Sequence, residues 1–315
     1  MIQIVNSLLP VALLIALGAV LLRLGFHGEP FRKGLERFVY WVALPALFIG
    51  KLSQSEFAQV ASGDLTLVLC ISTVAATLVG WFTAKAMRLP PGEAGVFTQA
   101  TLRGNLVFVG LPVIAFALEA IGIGIGRRTE LLGIALLAIA PLVLLYNVIS
   151  VIVLLLPQHG LGLSVVPRLL KSFVTNPLIV ATAVGLVMMA MKWRPPTAVL
   201  SAMEMLGSTA AALALIALGG GLASLPLRGQ WAKAMLAGAL KVALVPVLTW
   251  AAAMAIGLSG QPLLIAMVLS ACPTAVVSYV LATQLKGDGG LAASCVTMAT
   301  VLSFPALSVV LYLFG

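Results

Sequence analysis

An all-α membrane protein of ten spanning helices is what this sequence predicts, and three observations predict it. Of its 315 residues, 62% are hydrophobic and only 9% charged, too few charges to cover a soluble protein of this length. Apolar runs of about 20 residues, each long enough to cross a ~30 Å hydrocarbon layer, recur from end to end. Several runs carry prolines at matching places in the two halves of the chain. A β-barrel would show ~10-residue alternating segments instead. No polar stretch is long enough for a soluble domain, so residues 1–315 read as a single transmembrane domain.

The spans fall at roughly 4–24, 33–52, 64–87, 94–120, 130–156, 166–191, 198–223, 231–257, 262–285 and 290–314. The longest connections surround Gly25–Arg32, Ser53–Gly63 and Gln158–Val165. Span one carries Asn6, Pro10 and Gly18, and reads as a retained helix because no basic leader or small-residue cleavage site precedes it. Span two holds Pro45. Span three ends near Trp81, one of four tryptophans (with Trp193, Trp231 and Trp250) at span ends, where interfacial anchors belong. Span four carries Arg103, Asn105, Gly110 and Pro112, and span five Pro141. Span six opens on Asn176 and Pro177, with Gly185 eight residues on. In span seven, Gly219-Gly220-Gly221 suits close helix packing or flexing. Span eight contains Lys241, span nine Ser270, Cys272, Pro273, Thr274, Ser278 and Tyr279, and span ten Pro305.

The net charge of +9 comes from Lys and Arg scattered through short loops, without the clustering that nucleic acid would require. Loop charge sets membrane orientation. With the N-terminus outside, inner loops hold 11 basic residues, among them Arg168, Lys171 and Arg228, and outer loops 5. That split favours both termini outside. Cys70, Cys272 and Cys295 lie inside apolar spans and read as free thiols, with neither disulfide nor metal spacing.

Ten spans divide into five plus five, over residues 1–157 and 164–315. An odd number per half means the second half enters the membrane inverted. Three prolines recur in order: Pro10, Pro112 and Pro141 against Pro177, Pro273 and Pro305. From first to second is 102 residues in one half and 96 in the other. Pro45 has no partner in span seven.

Proline removes a backbone donor and clashes with the preceding turn. In lipid the freed carbonyls have no water, so a break survives only where it faces protein or a wet cavity. Proline also suits the first turn of a new helix. Pro45, Pro112 and Pro273 are therefore expected as helix breaks. Spans four and nine should each form two half-helices, the second starting near Pro112 or Pro273. Broken segments at matching places in two halves point to a transporter's binding site. Two positive helix ends meeting at mid-membrane suit an anion, with carboxylate the natural guess. The first half-helices end at the same place and offer carbonyl oxygens to a cation.

The phrase Gly-Asn-Leu-Val-Phe-Val-Gly-Leu-Pro-Val at 104–113 resembles the fourth span of the auxin efflux carrier family. So do Tyr40-Trp-Val-Ala-Leu-Pro-Ala-Leu-Phe and the ending from Ala271-Cys-Pro-Thr-Ala through Thr300-Val-Leu-Ser-Phe-Pro. The short connection after span five resembles the bacterial branch. The resemblance implies a bacterial inner-membrane secondary carrier of organic anions such as auxin, malate or malonate, working as an elevator and commonly a homodimer. It further implies a scaffold of spans 1, 2, 6 and 7, a moving unit of spans 3–5 and 8–10, and substrate at the crossing of spans four and nine. One departure stands out: Tyr40, Trp41 and Val42 occupy positions where some bacterial members carry an acid.

Candidate substrate contacts follow. Arg103 lies about 13 Å along span four at ~1.5 Å per residue, a depth at which a charge normally meets a partner or cavity. It pairs with a substrate carboxylate, snorkels to the inner surface, or pairs with Glu93 or another acid. Lys241 is similarly deep and is a second counter-charge, a proton-exchanging coupler or a snorkelling stem. Asn105 orients substrate or satisfies freed carbonyls. Gly110, Pro112, Cys272, Pro273, Thr274 and Tyr279 flank the breaks. For the hydroxyls of Ser270, Thr274 and Ser278, a bond back to their own helix is the ordinary alternative. Gln99, Tyr146 and Asn147 are weaker candidates.

The sequence therefore predicts a secondary transporter of small carboxylates in the bilayer. The alternatives are a channel or membrane receptor and, less favoured, an intramembrane enzyme. The last would need a nucleophile–base pair, two acids or a metal set, whereas His27 and His159 sit in loops and the spans lack paired acids. No cofactor is called for; protons or sodium are the open choices for a coupling ion.

Overall fold

The computed structural model describes residues 2–26, 29–54, 63–159, 177–225 and 230–315. His27, Asn176 and the charges Arg168, Lys171 and Arg228 lie outside the described residues, as does most of the connection between the two expected halves. Helices make up nearly all of what is described. Five are long and apolar enough to cross a membrane: Gly63–Ala86, Ile125–Gln158, Thr197–Ser224, Trp231–Ile256 and Gly289–Phe314. The 24 residues of the first extend about 36 Å at ~1.5 Å per residue. Shorter apolar helices cover Leu8–Arg23, Leu106–Ala120, Pro177–Ala190 and Gly260–Ala271. A helix satisfies its own backbone, which is why apolar chain takes this form in lipid.

In order, the helices are α1 (Ile2–Arg23), α2 (Glu29–Phe38), α3 (Leu44–Gln54), α4 (Gly63–Ala86), α5 (Pro91–Leu102), α6 (Leu111–Ala120) and α7 (Ile125–His159). There follow α8 (Pro177–Ala190), α9 (Thr197–Ser224), α10 (Trp231–Ala239), α11 (Val245–Ile256), α12 (Gly260–Ala271), α13 (Val277–Gln284) and α14 (Gly289–Phe314). Among the described residues three π-helical turns lead directly into the helix that follows: π1 (Val39–Ala43), π2 (Leu106–Gly110) and π3 (Leu240–Leu244). Each ends two residues before a proline: Pro45, Pro112 and Pro246. The carbonyl four residues before each proline, which an α-helix would press against the ring, lies inside the wider turn. Leu44 accordingly bonds Val39, Gly110 bonds Asn105 and Val245 bonds Leu240, each five residues back.

Pro45 and Pro112 are therefore not breaks, contrary to the sequence expectation; the helix absorbs each as a π turn and continues. Among the three residues expected to break helices, only Pro273 stands in an interruption, between α12 and α13. Span four is interrupted earlier, at 103–105, so its second half starts at Leu106 and not at Pro112. That removes Pro112 as the structural match of Pro273.

The chain clusters into two compact units. One comprises Met1–Gly63, Leu111–Ala140 and Leu170–Ala223; the other comprises Asp64–Gly110, Pro141–Leu169 and Ser224–Gly315. The first unit is built on backbone contact. A Cβ on Gly219 would lie 1.9 Å from the carbonyl oxygen of Ile15, and one on Gly18 would lie 2.0 Å from that of Ile216. Only glycine lets α1 and α9 approach this closely, as the glycine run suggested. Gly185 likewise admits Leu52 of α3, and α6 packs on α1. This unit also takes in Leu111–Ala140, from expected spans four and five.

The second unit has a core of Val96, Phe97 and Ala100 from α5, Ala234 and Ala237 from α10, Ala282 from α13, and Leu291, Ala292 and Cys295 from α14. Here α5, α13 and α14 pack on one another.

Candidate functional site

The second unit contains both helix interruptions, and they pair. Helix α5 ends at Leu102, where Arg103 turns to extended backbone (φ −84, ψ 96). Gly104 and Asn105 follow, both poor helix formers. Helix α12 ends at Ala271, and Cys272 is extended (φ −58, ψ 143), as the residue before a proline prefers. The two extended stretches lie antiparallel at Gly104 and Thr274. Asn105 N–H donates to the Pro273 carbonyl at 2.7 Å, and Ala275 N–H donates to the Arg103 carbonyl at 3.0 Å. Each break thus satisfies the other's backbone, which the apolar surroundings require.

Side chains reinforce the crossing. Thr274 Oγ1 donates to the Ala100 carbonyl at 2.8 Å. It bonds across to α5 and not back to its own helix, the ordinary alternative for a hydroxyl. Ser270 does take that ordinary bond, to the Met267 carbonyl. The Asn105 carbonyl accepts from both Val109 and Gly110 N–H at 3.1 Å, starting the π turn. A Cβ on Gly110 would meet Leu269 Cδ2 at 2.8 Å and Cys272 Sγ at 3.1 Å, so glycine allows π2 to lie against the end of α12.

Two cationic side chains converge here. Lys241, on π3, is fully buried, and its ammonium donates to the Ser270 carbonyl, one of the four that a helix end leaves open. Its Cε and Nζ would each stand 3.5 Å from a Cβ on Gly104, so the lysine crosses over the gap beside Arg103. Among the described residues it forms no ion pair. Arg103 is 7% exposed. Its guanidinium donates to Asn147 Oδ1 at 2.9 Å and to Ser150 Oγ at 3.3 Å, both neutral groups on α7. Glu93, the acid the sequence offered Arg103, pairs with Lys233 instead. Tyr146, also on α7, turns its phenol toward the Gly104 backbone and the Thr73 side chain.

Of the residues singled out from sequence, Arg103, Asn105, Gly110, Lys241, Cys272, Pro273 and Thr274 gather at this crossing. Pro112 lies seven residues beyond Asn105 and groups with the other unit. Tyr279, one turn into α13, packs against the apolar core. Ser150 was missed. The signal for Ser150 was present: Asn147 and Ser150 are three apart, hence on one face of an apolar helix.

The crossing is a polar, cationic centre inside an apolar unit, with Asn147, Ser150 and the Ser270 carbonyl accepting hydrogen bonds from the two cations. Comparison with known proteins bears on its use. The family described as "Membrane transport protein" matches residues 3–157 and 161–311. A protein of Methanothermobacter thermautotrophicus named "Uncharacterized transporter" is 28% identical over 308 residues, covering 96% of this chain and 95% of its own. A protein of Rhizobium meliloti named "Putative malonate transporter" is 26% identical over 317 residues, covering 99% and 96%.

Proposed function

We propose that this chain, which belongs to the membrane transport protein family and is embedded in the bilayer, is a secondary transporter of small organic anions. The substrate carboxylate sits at the crossing of the interrupted helices. One observation carries this reading: Lys241 and Arg103 flank Gly104 beside the paired breaks, Lys241 on the Ser270 carbonyl and Arg103 on Asn147 and Ser150. Positive charge in an apolar setting attracts an anion strongly because little solvent competes. Arg103 supplies a planar fork suited to a carboxylate, Lys241 a second charge, and Asn105 and Thr274 further polar groups. The name of the Rhizobium meliloti relative supports a short dicarboxylate such as malonate as the first substrate to test.

For the mechanism we infer an elevator. A moving unit of spans 3–5 and 8–10, which includes the crossing, carries the anion as one body, and spans 1, 2, 6 and 7 serve as scaffold. Ten spans in two inverted halves of five, with both termini outside, a homodimer in the bacterial inner membrane, and coupling to protons or sodium complete the reading.

Uptake into liposomes tests it. Vesicles containing the purified protein should take up radiolabelled malonate, malate or an auxin-like acid faster than empty vesicles. Equal rates across a broad carboxylate panel would refute the reading.

A further inference from the structure

Three buried polar side chains in the second unit take no hydrogen bond. Gln99 is 1% exposed, and neither its amide oxygen nor its amide nitrogen has a partner. The hydroxyls of Ser278 (3% exposed) and Ser294 (0%) have none either. Buried polar groups are almost always satisfied, and each exception needs an explanation.

These residues lie on the three mutually packed helices α5, α13 and α14, at one level. Arg103 N–H bonds the Gln99 carbonyl, Ala275 N–H bonds the Arg103 carbonyl, and Ser278 N–H bonds the Ala275 carbonyl. Gln99 and Ser278 are thus each one turn from the pairing of the two breaks. From the other end, Asp288 N–H bonds the Gly92 carbonyl, so α14 starts beside the first turn of α5. Gln99 is seven residues from Gly92 and Ser294 six from Asp288, each about 10 Å along at ~1.5 Å per residue. The shared core of Val96, Ala100, Leu291 and Cys295 fixes α5 and α14 in that register.

We propose that Gln99, Ser278 and Ser294 form a second subsite, which receives a second oxygen-bearing group of the substrate about one helical turn from the carboxylate held at Arg103 and Lys241. The inference rests on the anion-transport reading and names the substrate class more narrowly: short acids with a second carboxyl or hydroxyl oxygen. The amide and hydroxyls donate and accept, so they pair with either group. They carry no charge, so they add discrimination without another buried ion. Their polar atoms are closed off from solvent, and what completes them enters with the substrate. A site left with unpaired polar groups rejects the analogue that lacks the partner.

The test compares malonate with propionate, which lacks the second carboxyl group, by equilibrium binding to the purified full chain. The ratio of the two affinities is the readout, and the melting temperature without ligand is the fold control. Wild type should prefer malonate by about tenfold or more, the scale of one or two lost hydrogen bonds. Gln99→Leu and Ser278→Ala should each shrink that ratio. If Gln99→Leu does not fold, Ser278→Ala and Ser294→Ala carry the test, since each removes a single oxygen. An unchanged ratio in folded variants overturns the subsite while leaving the anion reading intact. Absence of binding of any carboxylate to wild type overturns both.

Discussion

Asn105 donates its backbone N–H to the carbonyl of Pro273 at 2.7 Å, joining two helix interruptions far apart in sequence. Everything polar at the crossing is arranged around that bond and its partner from Ala275 to Arg103. The interruption leaves backbone groups open, the pairing closes them, and the space beside Gly104 is taken by Lys241.

Removing the guanidinium should weaken anion binding most directly. Arg103→Ala should lower malonate affinity by about tenfold to a hundredfold, the range for loss of a charge-assisted hydrogen bond. Arg103→Lys should recover only part, because an ammonium cannot span Asn147 and Ser150 as the fork does. Equilibrium binding checks both variants, and wild-type affinity in Arg103→Ala would exclude this role.

Lys241→Met removes the buried ammonium and keeps the stem. The expected protein folds, because an apolar side chain suits a fully buried position, but has lost stabilisation by malonate. A ligand bound at a hundred times its Kd adds about 2.7 kcal/mol to wild-type stability. Thermal shift with and without malonate reads the difference; an undiminished shift in the variant would rule out the second counter-charge.

Thr274→Val tests the crossing itself. It deletes the hydroxyl that reaches the Ala100 carbonyl at 2.8 Å and leaves that buried acceptor short of a bond. The cost should be about 1–2 kcal/mol, read as a melting temperature a few degrees lower. Thr297→Val, whose hydroxyl bonds back to Ala293 in its own helix, should cost less. Equal losses would show that the cross-helix bond is nothing special.

Gly219→Ala should prevent correct folding of the first unit, because its Cβ would stand 1.9 Å from the Ile15 carbonyl oxygen and backbone cannot move aside cheaply. Gly124→Ala, where nothing lies within 4 Å, is the control and should fold as wild type. Monodisperse detergent-solubilised yield measures both; a well-folded Gly219→Ala protein would contradict the close packing.

Much of the site was legible in the sequence. Arg103 and Lys241 stood out because charge in an apolar span is costly, and Pro273 because it cannot continue a helix. The break in span four was misread. Pro112 drew attention as the recognised breaker, yet the π turn at Leu106–Gly110 absorbs it, and the chain gives way at 103–105 because the extended stretch across from it bonds the Arg103 carbonyl and the Asn105 N–H. Gln99 looked minor on an apolar helix. Its weight comes from Ser278 and Ser294 standing level with it.

By itself the sequence determined that the chain lives in a membrane, that it is helical, and which family it joins. Composition and span length act locally, and lipid leaves the backbone few other solutions. Only the tertiary structure decided where span four opens, which groups close the gap, and which polar side chains lie unpaired at one level. Those outcomes depend on antiparallel pairing between Arg103–Asn105 and Pro273–Ala275 and on the register of α5 against α13 and α14, and no local pattern encodes a hydrogen bond between segments so distant in the chain.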